Sequence, residues 1–309
     1  MTGEFDTIEF GSEIALTNLR RRSDRLLFPR QYSSLGEFVP TLEQDVAYYP
    51  SVMQEPPIRA SDRLIVALDV SDVDEALGLV RDLEGMVDFF KVGLTLQLAP
   101  KIEILISQLI AAKKRVFLDY KYYDIPETIA TAVGRAATRG VSFLTVHGST
   151  PLMEAAVRAR GSSDLKLFTV TVLTSMDATD LQEMGYNDNV SVADLVLFRA
   201  RKALQAGCDG VIASGEEASA IKAMAESQGK SLLVVTPGIR HDGSLEDDQK
   251  RRTTPRAAVL AGADYLVMGR PIYAPRLPFK TPQEAAVATI AEMQAAFDLR
   301  ESQRPQASR

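Results

Sequence analysis

Eight short apolar runs recur from Ser61 onward, and a longer segment with helical spacing follows each of them. The runs are nearly continuous in apolar residues and rich in Val, Ile, Leu and Phe, which is typical of parallel strands buried on both faces. They are LIVALD (64–69), VDFFKVG (87–93), RVFLDY (115–120), VSFLTVH (141–147), KLFTVTVL (166–173), DGVIAS (209–214), SLLVVTP (231–237) and DYLVMG (264–269). The pattern therefore predicts eight strands.

The segments between these runs carry apolar residues at steps of three and four, as expected for helices with one buried face. Examples are DVDEALGLVRDLEG, LAPKIEILISQLIAAK and TPLMEAAVRARG. Eight strand–helix units over about 210 residues match an α/β protein of the (β/α)8 or TIM barrel class, which typically has about 250 residues. An open doubly wound sheet is the alternative. Its G-x-G-x-x-G fingerprint is missing from the first strand–helix turn, ALDVSDVDEA, so the barrel is favoured.

Residues 1–60 do not share this regular spacing and contain several prolines and the basic cluster LRRRSDR. They lack the apolar core of a signal peptide, and their acidic residues argue against a transit peptide. We therefore predict three regions: an irregular N-terminal extension at 1–60, a catalytic barrel at 61–300 and a polar tail at 301–309.

Composition narrows the classes of partner. The net charge of −6 and a pI near 5.2 give no basic footprint for nucleic acid or an anionic membrane. No apolar run approaches the length of about 18 residues that suggests a transmembrane helix. A single cysteine, Cys208, excludes an internal disulfide framework and favours the cytoplasm, and two histidines, His147 and His241, exclude a His-rich metal site.

Polar residues or glycines stand at or just beyond the end of every predicted strand. In a barrel of this class the active site lies at the carboxyl ends of the strands, and charges there are costly unless they are paired. His147 and Ser214, taken singly, are more often structural. The full set is Asp69, Lys91, Asp119 with Lys121, His147, Thr174, Ser214, Arg240, and Gly269 with Arg270.

The segment FLDYKYYDIPET (117–128) concentrates the charges. Because side chains alternate along a strand about every 3.3 Å, Asp119 and Lys121 share a face, roughly 7 Å apart at the backbone. Asp124 follows beyond the strand end, and Lys91 adds a second ammonium. Nearby carboxylates keep a lysine protonated, and a positioned ammonium can stabilise a carbanion and then protonate it. A purely structural salt-bridge network is the alternative.

The last two strand–helix loops point to a phosphate. The segment TPGIRHDGSLEDDQKRRTTPR (236–256) is much longer than the usual two to six residues, which predicts a lid over the site. In MGRPIY, Gly269 allows close backbone approach and Arg270 supplies a bidentate fork. Loops after strands 7 and 8 commonly bind phosphate in this fold, so we expect a phosphorylated substrate.

Over about residues 62–275 the chain resembles the orotidine 5'-phosphate decarboxylase family. The resemblance rests on ALDV, FKVG, FLDYKYYDIPET, VTVLTS, PGIR, the Gln of DDQKR and MGRPIY. It implies decarboxylation of orotidine 5'-phosphate to UMP in de novo pyrimidine biosynthesis. It also implies a homodimer that uses neither metal nor cofactor and has active sites at the subunit interface.

The resemblance also implies roles for individual residues. Lys121 would protonate C6 of the pyrimidine, Asp119 would lie beside the substrate carboxylate, Lys91 would join the charged network, and Asp124 would reach in from the partner subunit. The expected substrate contacts are Asp69 and Lys91 for the ribose, Ile125 and Thr128 from the partner, Thr174 near the pyrimidine, and Arg240, Gln249, Gly269 and Arg270 for the phosphate and the lid.

Two other functions stay open at this point. Magnesium-dependent 3-keto-L-gulonate 6-phosphate decarboxylases and hexulose-phosphate synthases belong to the same barrel group and also carry Asp-x-Lys-x-x-Asp. They resemble the chain less well, because Lys91 stands where they need a different residue and because PGIR with Gln249 is typical of the nucleotide enzyme. A non-catalytic phosphate-binding barrel is the second alternative, and the complete Lys-Asp-Lys-Asp set argues against it.

Overall fold

Eight parallel strands close into a barrel in chain order, and the last strand pairs with the first. The computed structural model describes residues 58–241 and 251–303. The strands are β1 (Leu64–Ala67), β2 (Phe89–Gly93), β3 (Arg115–Tyr122), β4 (Phe143–Val146), β5 (Lys166–Val170), β6 (Gly210–Ile212), β7 (Leu233–Thr236) and β8 (Tyr265–Met268). All eight coincide with predicted runs, so the predicted fold class is confirmed.

Helices follow the strands and cover the barrel. They are α1 (Val73–Asp82), α2 (Leu94–Gln97), α3 (Ile102–Ala111), α4 (Pro126–Thr138), α5 (Thr150–Arg160), α6 (Ala178–Glu183), α7 (Val192–Ala206), α8 (Gly215–Glu226), α9 (Pro255–Leu260), α10 (Arg270–Tyr273) and α11 (Pro282–Ser302), preceded by a 3-10 turn at Ala60–Asp62. Pro126 starts α4, where a missing N–H costs no helical hydrogen bond. Residues 1–57 and 304–309 lie outside the described part of the chain, so the predicted bounds of the extension, barrel and tail remain predictions.

Aromatic rings fill the amino-terminal half of the barrel. Phe89, Phe117, Phe143, Phe168 and Tyr265 are buried there, with ring centroids 4.5 to 6.4 Å apart. A larger apolar core lies between the strands and the helices. Because the aromatic plug closes the amino-terminal end, a ligand cavity inside the barrel has to open at the carboxyl ends of the strands.

The strand β3 departs from regular geometry at its carboxyl end. Its pairing with β4 shifts between Leu118 and Tyr122, so that more residues of β3 than of β4 are accommodated there. Lys121 lies in this irregular stretch and has a φ of +49°, in the left-handed region. Its backbone N–H donates to the Thr145 hydroxyl at 2.9 Å. Simple alternation therefore does not describe residues 119 to 121.

Candidate active site

A cavity of about 440 Å³ opens at the carboxyl ends of the strands. That volume falls in the range of small-molecule sites. Eight residues that the sequence predicted for the site line it together: Asp69, Lys91, Asp119, Lys121, Thr174, Arg240, Gly269 and Arg270.

Four charged side chains that line this cavity form a chain of ion pairs with alternating sign. The Lys91 ammonium lies 2.9 Å from Asp69 Oδ1 and 3.6 Å from Asp119 Oδ2, and Lys121 Nζ lies 2.9 Å from Asp119 Oδ1. The side chain of Lys121 is 30% exposed, whereas those of Lys91 and Asp119 are 9% and 14% exposed. Lys121 is therefore the cation of the network that is most open to a ligand.

Asp119 is held in its charged form by its neighbours. Burial by itself would raise the pKa of Asp119, but the charges of Lys91 and Lys121, with hydrogen bonds from Lys121 and Thr145, outweigh burial and lower this pKa below its usual value. The Thr145 hydroxyl donates to Asp119 Oδ1 at 3.0 Å. The sequence reasoning missed Thr145, although it is a polar residue in the otherwise apolar strand FLTV.

The backbone at Lys121 is strained. A left-handed conformation in a non-glycine residue costs about 1 to 3 kcal/mol and persists only where surrounding contacts impose it. Here the hydrogen bond to Thr145 and the ion pair to Asp119 supply those contacts. The Lys121 ammonium lies 2.9 Å from Asp119 Oδ1, so the two side chains pair as expected. They do so with a left-handed backbone at Lys121 and not through the regular strand alternation from which the pairing was predicted.

The other side of the cavity carries the residues predicted for a phosphate. Arg240 follows β7, and its Nη1 donates to the Ile239 carbonyl at 2.8 Å. Gly269 precedes α10, which begins with the exposed Arg270. Tyr273 also lines the cavity and was missed by the sequence reasoning, although MGRPIY contains it. Burial, followed by the charge of Asp69, raises the pKa of Tyr273, so its hydroxyl stays a neutral donor.

One predicted phosphate residue and the middle of the predicted lid lie outside the described residues. Gln249 and residues 242–250 lie outside the part of the chain that the structure describes. Their predicted roles therefore remain predictions.

Two polar residues from the strand ends do not line this cavity. The buried Ser214 caps α8, since its hydroxyl accepts a hydrogen bond from the Glu216 backbone N–H at 3.2 Å. His147 lines a neighbouring cavity of about 410 Å³, together with Tyr123, Arg199 and the shared Lys121. Burial, then the charges of Arg199 and Lys121, lowers the pKa of His147. Ser214 therefore has the structural role that was the alternative for it. His147 lines the neighbouring cavity and not the candidate active site.

Three predicted site residues lie on the surface, outside the cavity of their own chain. Asp124, Ile125 and Thr128 are exposed where β3 leads into α4. The side chain of Asp124 accepts a hydrogen bond from the Ile125 backbone N–H at 2.6 Å, and Ile125 is 63% exposed. Their expected place in a partner's site stays a prediction.

Within 58–241 and 251–303, no three His, Cys, Asp or Glu side chains are grouped so that they could hold a metal ion. In the same part of the chain, no helix has the length and apolar character needed to cross a membrane.

Comparison with known proteins gives a consistent result. Residues 62–285 match the family model described as Orotidine 5'-phosphate decarboxylase / HUMPS family. Orotidine 5'-phosphate decarboxylase of Nitrobacter winogradskyi is 53% identical over 234 residues, which cover 76% of this chain and 93% of that protein. The Methylococcus capsulatus protein of the same name is 45% identical over 249 residues, covering 80% of this chain and 98% of its own. The crystal structure of orotidine 5'-phosphate decarboxylase from Lactobacillus acidophilus superimposes with a TM-score of 0.62 at 32% identity, covering 75% of this chain and 99% of that one.

Proposed function

The chain belongs to the orotidine 5'-phosphate decarboxylase / HUMPS family, and from that premise we propose that Lys121 carries the decarboxylation of orotidine 5'-phosphate to UMP. Membership of this family supports the overall reaction, a carboxy-lyase step of pyrimidine biosynthesis. The proposal adds the mechanism. Its main support is the Lys91–Asp119–Lys121 network in the cavity, in which Lys121 is the most exposed cation.

In the proposed step, the bond between C6 and the carboxylate breaks and CO2 leaves, while the electron pair stays on C6. This pair lies in the ring plane, where the π system delocalises it poorly. A fixed positive charge must therefore stabilise this electron pair. Lys121 lines the cavity, so its ammonium can supply that charge. Lys121 then donates a proton to C6, which completes UMP, and regains a proton from water. Asp119 lies beside the substrate carboxylate and orients Lys121.

The rest of the substrate is assigned to the remaining walls of the cavity. Asp69 and Lys91 bind the ribose hydroxyls, and Thr174 lies near the pyrimidine. Arg240, Gly269 and Arg270 bind the phosphate, with Gln249 as the fourth predicted contact. Phosphate binding far from C6 contributes to catalysis when its energy is realised in the transition state.

We also propose that the site is completed by a second copy of the chain. Asp124, Ile125 and Thr128 are exposed near the cavity of their own chain without lining it. Large apolar side chains are exposed in α2, just after it and in the β3–α4 connection: Leu94 is 58% exposed, Leu98 94% and Tyr123 75%. Exposed apolar patches mark interaction sites, so this end of the barrel is suited to a dimer contact. A cytoplasmic location remains a prediction.

The activity is tested by incubating purified protein with orotidine 5'-phosphate in EDTA and measuring CO2 and UMP. We expect turnover to be unchanged by the chelator. Loss of activity in EDTA, restored by magnesium, would instead support assignment of the chain to the magnesium-dependent enzymes of the same barrel group. Tight binding of UMP without turnover would support a regulatory barrel.

The role of Lys121 is tested by Lys121→Ala. We expect kcat to fall by at least about a hundredfold, as for removal of a general acid, while UMP still binds. The matched control is Lys113→Ala, because Lys113 is an exposed lysine that also has a positive φ, of 59°, but lies before β3 at the other end of the barrel. If kcat of Lys121→Ala stays within about tenfold of wild type, Lys121 is not the proton donor.

A further inference from the structure

We propose that Arg251 is a positioning residue that holds the loop after β5 and the loop after β7 in a fixed relation around the substrate. The first loop carries Thr174, the expected pyrimidine contact, and the second carries Arg240, an expected phosphate contact. Arg251 itself does not line the cavity. The inference rests on the proposed function, since it concerns how the two ends of that substrate are held.

Arg251 binds three consecutive carbonyl groups of the loop after β5. Its Nη2 donates to the Val172 carbonyl at 3.1 Å and to the Leu173 carbonyl at 3.0 Å. Its backbone N–H donates to the Thr174 carbonyl at 3.1 Å. Arg251 therefore holds this loop at each residue from Val172 to Thr174, the last of which lines the cavity.

The same guanidinium is held from the other side by α8. Arg251 Nη1 donates to Glu217 Oε1, and the two side chains are only 11% and 8% exposed. Two buried atoms of this pair, Arg251 Nε and Glu217 Oε2, have no hydrogen-bond partner among the described residues. A buried pair that leaves polar atoms unpaired gives up part of its stabilisation. This favours a role in placing the loop over a role in stability alone.

Arg251 lies near the end of the loop after β7, and two residues further along Thr253 pairs with the first part of that same loop. The Arg240 backbone N–H donates to the Thr253 carbonyl at 3.0 Å, and the Thr253 N–H donates to the Gly238 carbonyl at 3.4 Å. Thr253 also packs closely on the start of α8, where a Cβ added to Gly215 would lie 2.6 Å from Thr253 Cγ2. Thr253 therefore has little freedom to move independently of the barrel.

These contacts tie the loop after β5 to the first part of the loop after β7 through a short stretch of backbone. Only Arg252 separates Arg251, which binds the loop after β5, from Thr253, which pairs with Gly238 and Arg240. A displacement of Arg251 would move the Thr174 carbonyl directly and would act on Arg240 through Thr253. Arg251 thus couples the position of Thr174, at the pyrimidine end of the site, to that of Arg240, at the phosphate end, without contacting the substrate.

The test compares orotidine 5'-phosphate with orotidine, which lacks the phosphate, in wild type, Arg251→Lys and Arg251→Met. The ratio of kcat/KM for the two substrates measures how much the phosphate contributes to the transition state. We expect this ratio to fall by about tenfold or more in Arg251→Met, with a smaller fall in Arg251→Lys, which keeps the charge but not the fork. A merely structural role would lower both kcat/KM values equally and leave the ratio unchanged.

The matched control is Arg160→Met. Arg160 forms a similar, partly buried ion pair with Asp209, at the amino-terminal side of β6 and away from the cavity. We expect this variant to lose stability while its substrate ratio stays at the wild-type value. If Arg251→Met does not fold, Arg251→Lys decides the question by the same ratio. An unchanged ratio in an active, folded Arg251 variant overturns this inference alone, whereas wild-type protein without any turnover overturns the proposed function together with it.

Discussion

Lys91 shows how a buried charge is tolerated at the centre of this site. Its side chain is 9% exposed and contacts two carboxylates, Asp69 and Asp119. Burial of an ammonium is costly unless opposite charges and hydrogen bonds compensate it. The same contacts act on the carboxylates, because the charge of Lys91 opposes the effect of burial on the pKa of Asp119. Lys91 therefore balances the charge of the two carboxylates and helps to keep Asp119 ionised.

This coupling predicts that Lys91→Met raises the pKa of Asp119. In wild type this pKa is lowered, so the stability that ionised Asp119 contributes is present above its unfolded-state pKa of about 3.9 and is lost as the pH falls through the lower folded-state value. Without the charge of Lys91, that loss should occur at higher pH. The 13C chemical shift of the Asp119 carboxyl, followed against pH, measures the change.

The control for this titration is Lys114→Met. Lys114 is also a buried lysine with two acidic partners, Glu84 and Asp88, but it precedes β3 at the amino-terminal end of the barrel. It should leave the Asp119 titration as in wild type. The electrostatic interpretation of Lys91 is wrong if the pKa of Asp119 is the same in Lys91→Met as in wild type.

At the level of elements, a side chain at the junction of β2 and α2 would displace the ion pair beside it. Gly93 is the last residue of β2 and the N-cap of α2. A Cβ at this position would lie 2.8 Å from Lys91 Nζ and 3.0 Å from Asp69 Oδ1. Both atoms are the ends of side chains, so they can move aside at small cost. Such a movement would separate the ion pair that the substrate ribose is expected to meet.

We therefore expect Gly93→Ala to lower kcat/KM strongly while it changes the free energy of unfolding by only about 1 kcal/mol or less. Gly210→Ala is the contrasting variant. Its Cβ would lie 2.4 Å from the Leu233 carbonyl oxygen and 2.5 Å from the Phe168 ring, in a packed part of β6 that cannot yield. It should destabilise the protein by about 1 to 3 kcal/mol. Thermal unfolding and steady-state kinetics of both variants test this, and the opposite pattern would contradict it.

At the scale of the whole molecule, a single chain leaves part of the predicted site on its surface. Asp124 is exposed, and the cavity of its own chain is lined without it. If Asp124 acts in the site of a second copy, the contact must be reciprocal in a two-fold dimer. Variants of Lys121 and of Asp124 would then damage different sites of a mixed dimer.

Mixing Lys121→Ala with Asp124→Ala protein should therefore restore activity. Each variant alone is expected to be almost inactive, but a mixed dimer has one site that lacks both side chains and one site with neither change. Random exchange makes about half of the dimers mixed, so roughly a quarter of wild-type activity should return if the sites are independent. Lys121→Ala mixed with itself is the control. No recovery after verified subunit exchange would show that both residues serve one chain's site.

The sequence by itself determined the barrel and most of the residues at its mouth. Strand runs, helical spacing and residues at strand ends are local features, and the barrel brings all strand ends to one rim, so Asp69, Lys91 and Arg270 could be predicted to meet. The position of Asp119 and Lys121 in one short motif made their pairing predictable as well.

Only the tertiary structure decided the contacts between distant parts of the chain. Thr145 lies 26 residues from Asp119, and Arg251 lies 79 residues from Val172, so neither contact leaves a periodic signal. The left-handed backbone of Lys121 depends on the shifted register between β3 and β4, which a strand pattern does not contain. Such features arise from register and side-chain packing, which depend on residues far apart in the chain and are established only when the barrel closes.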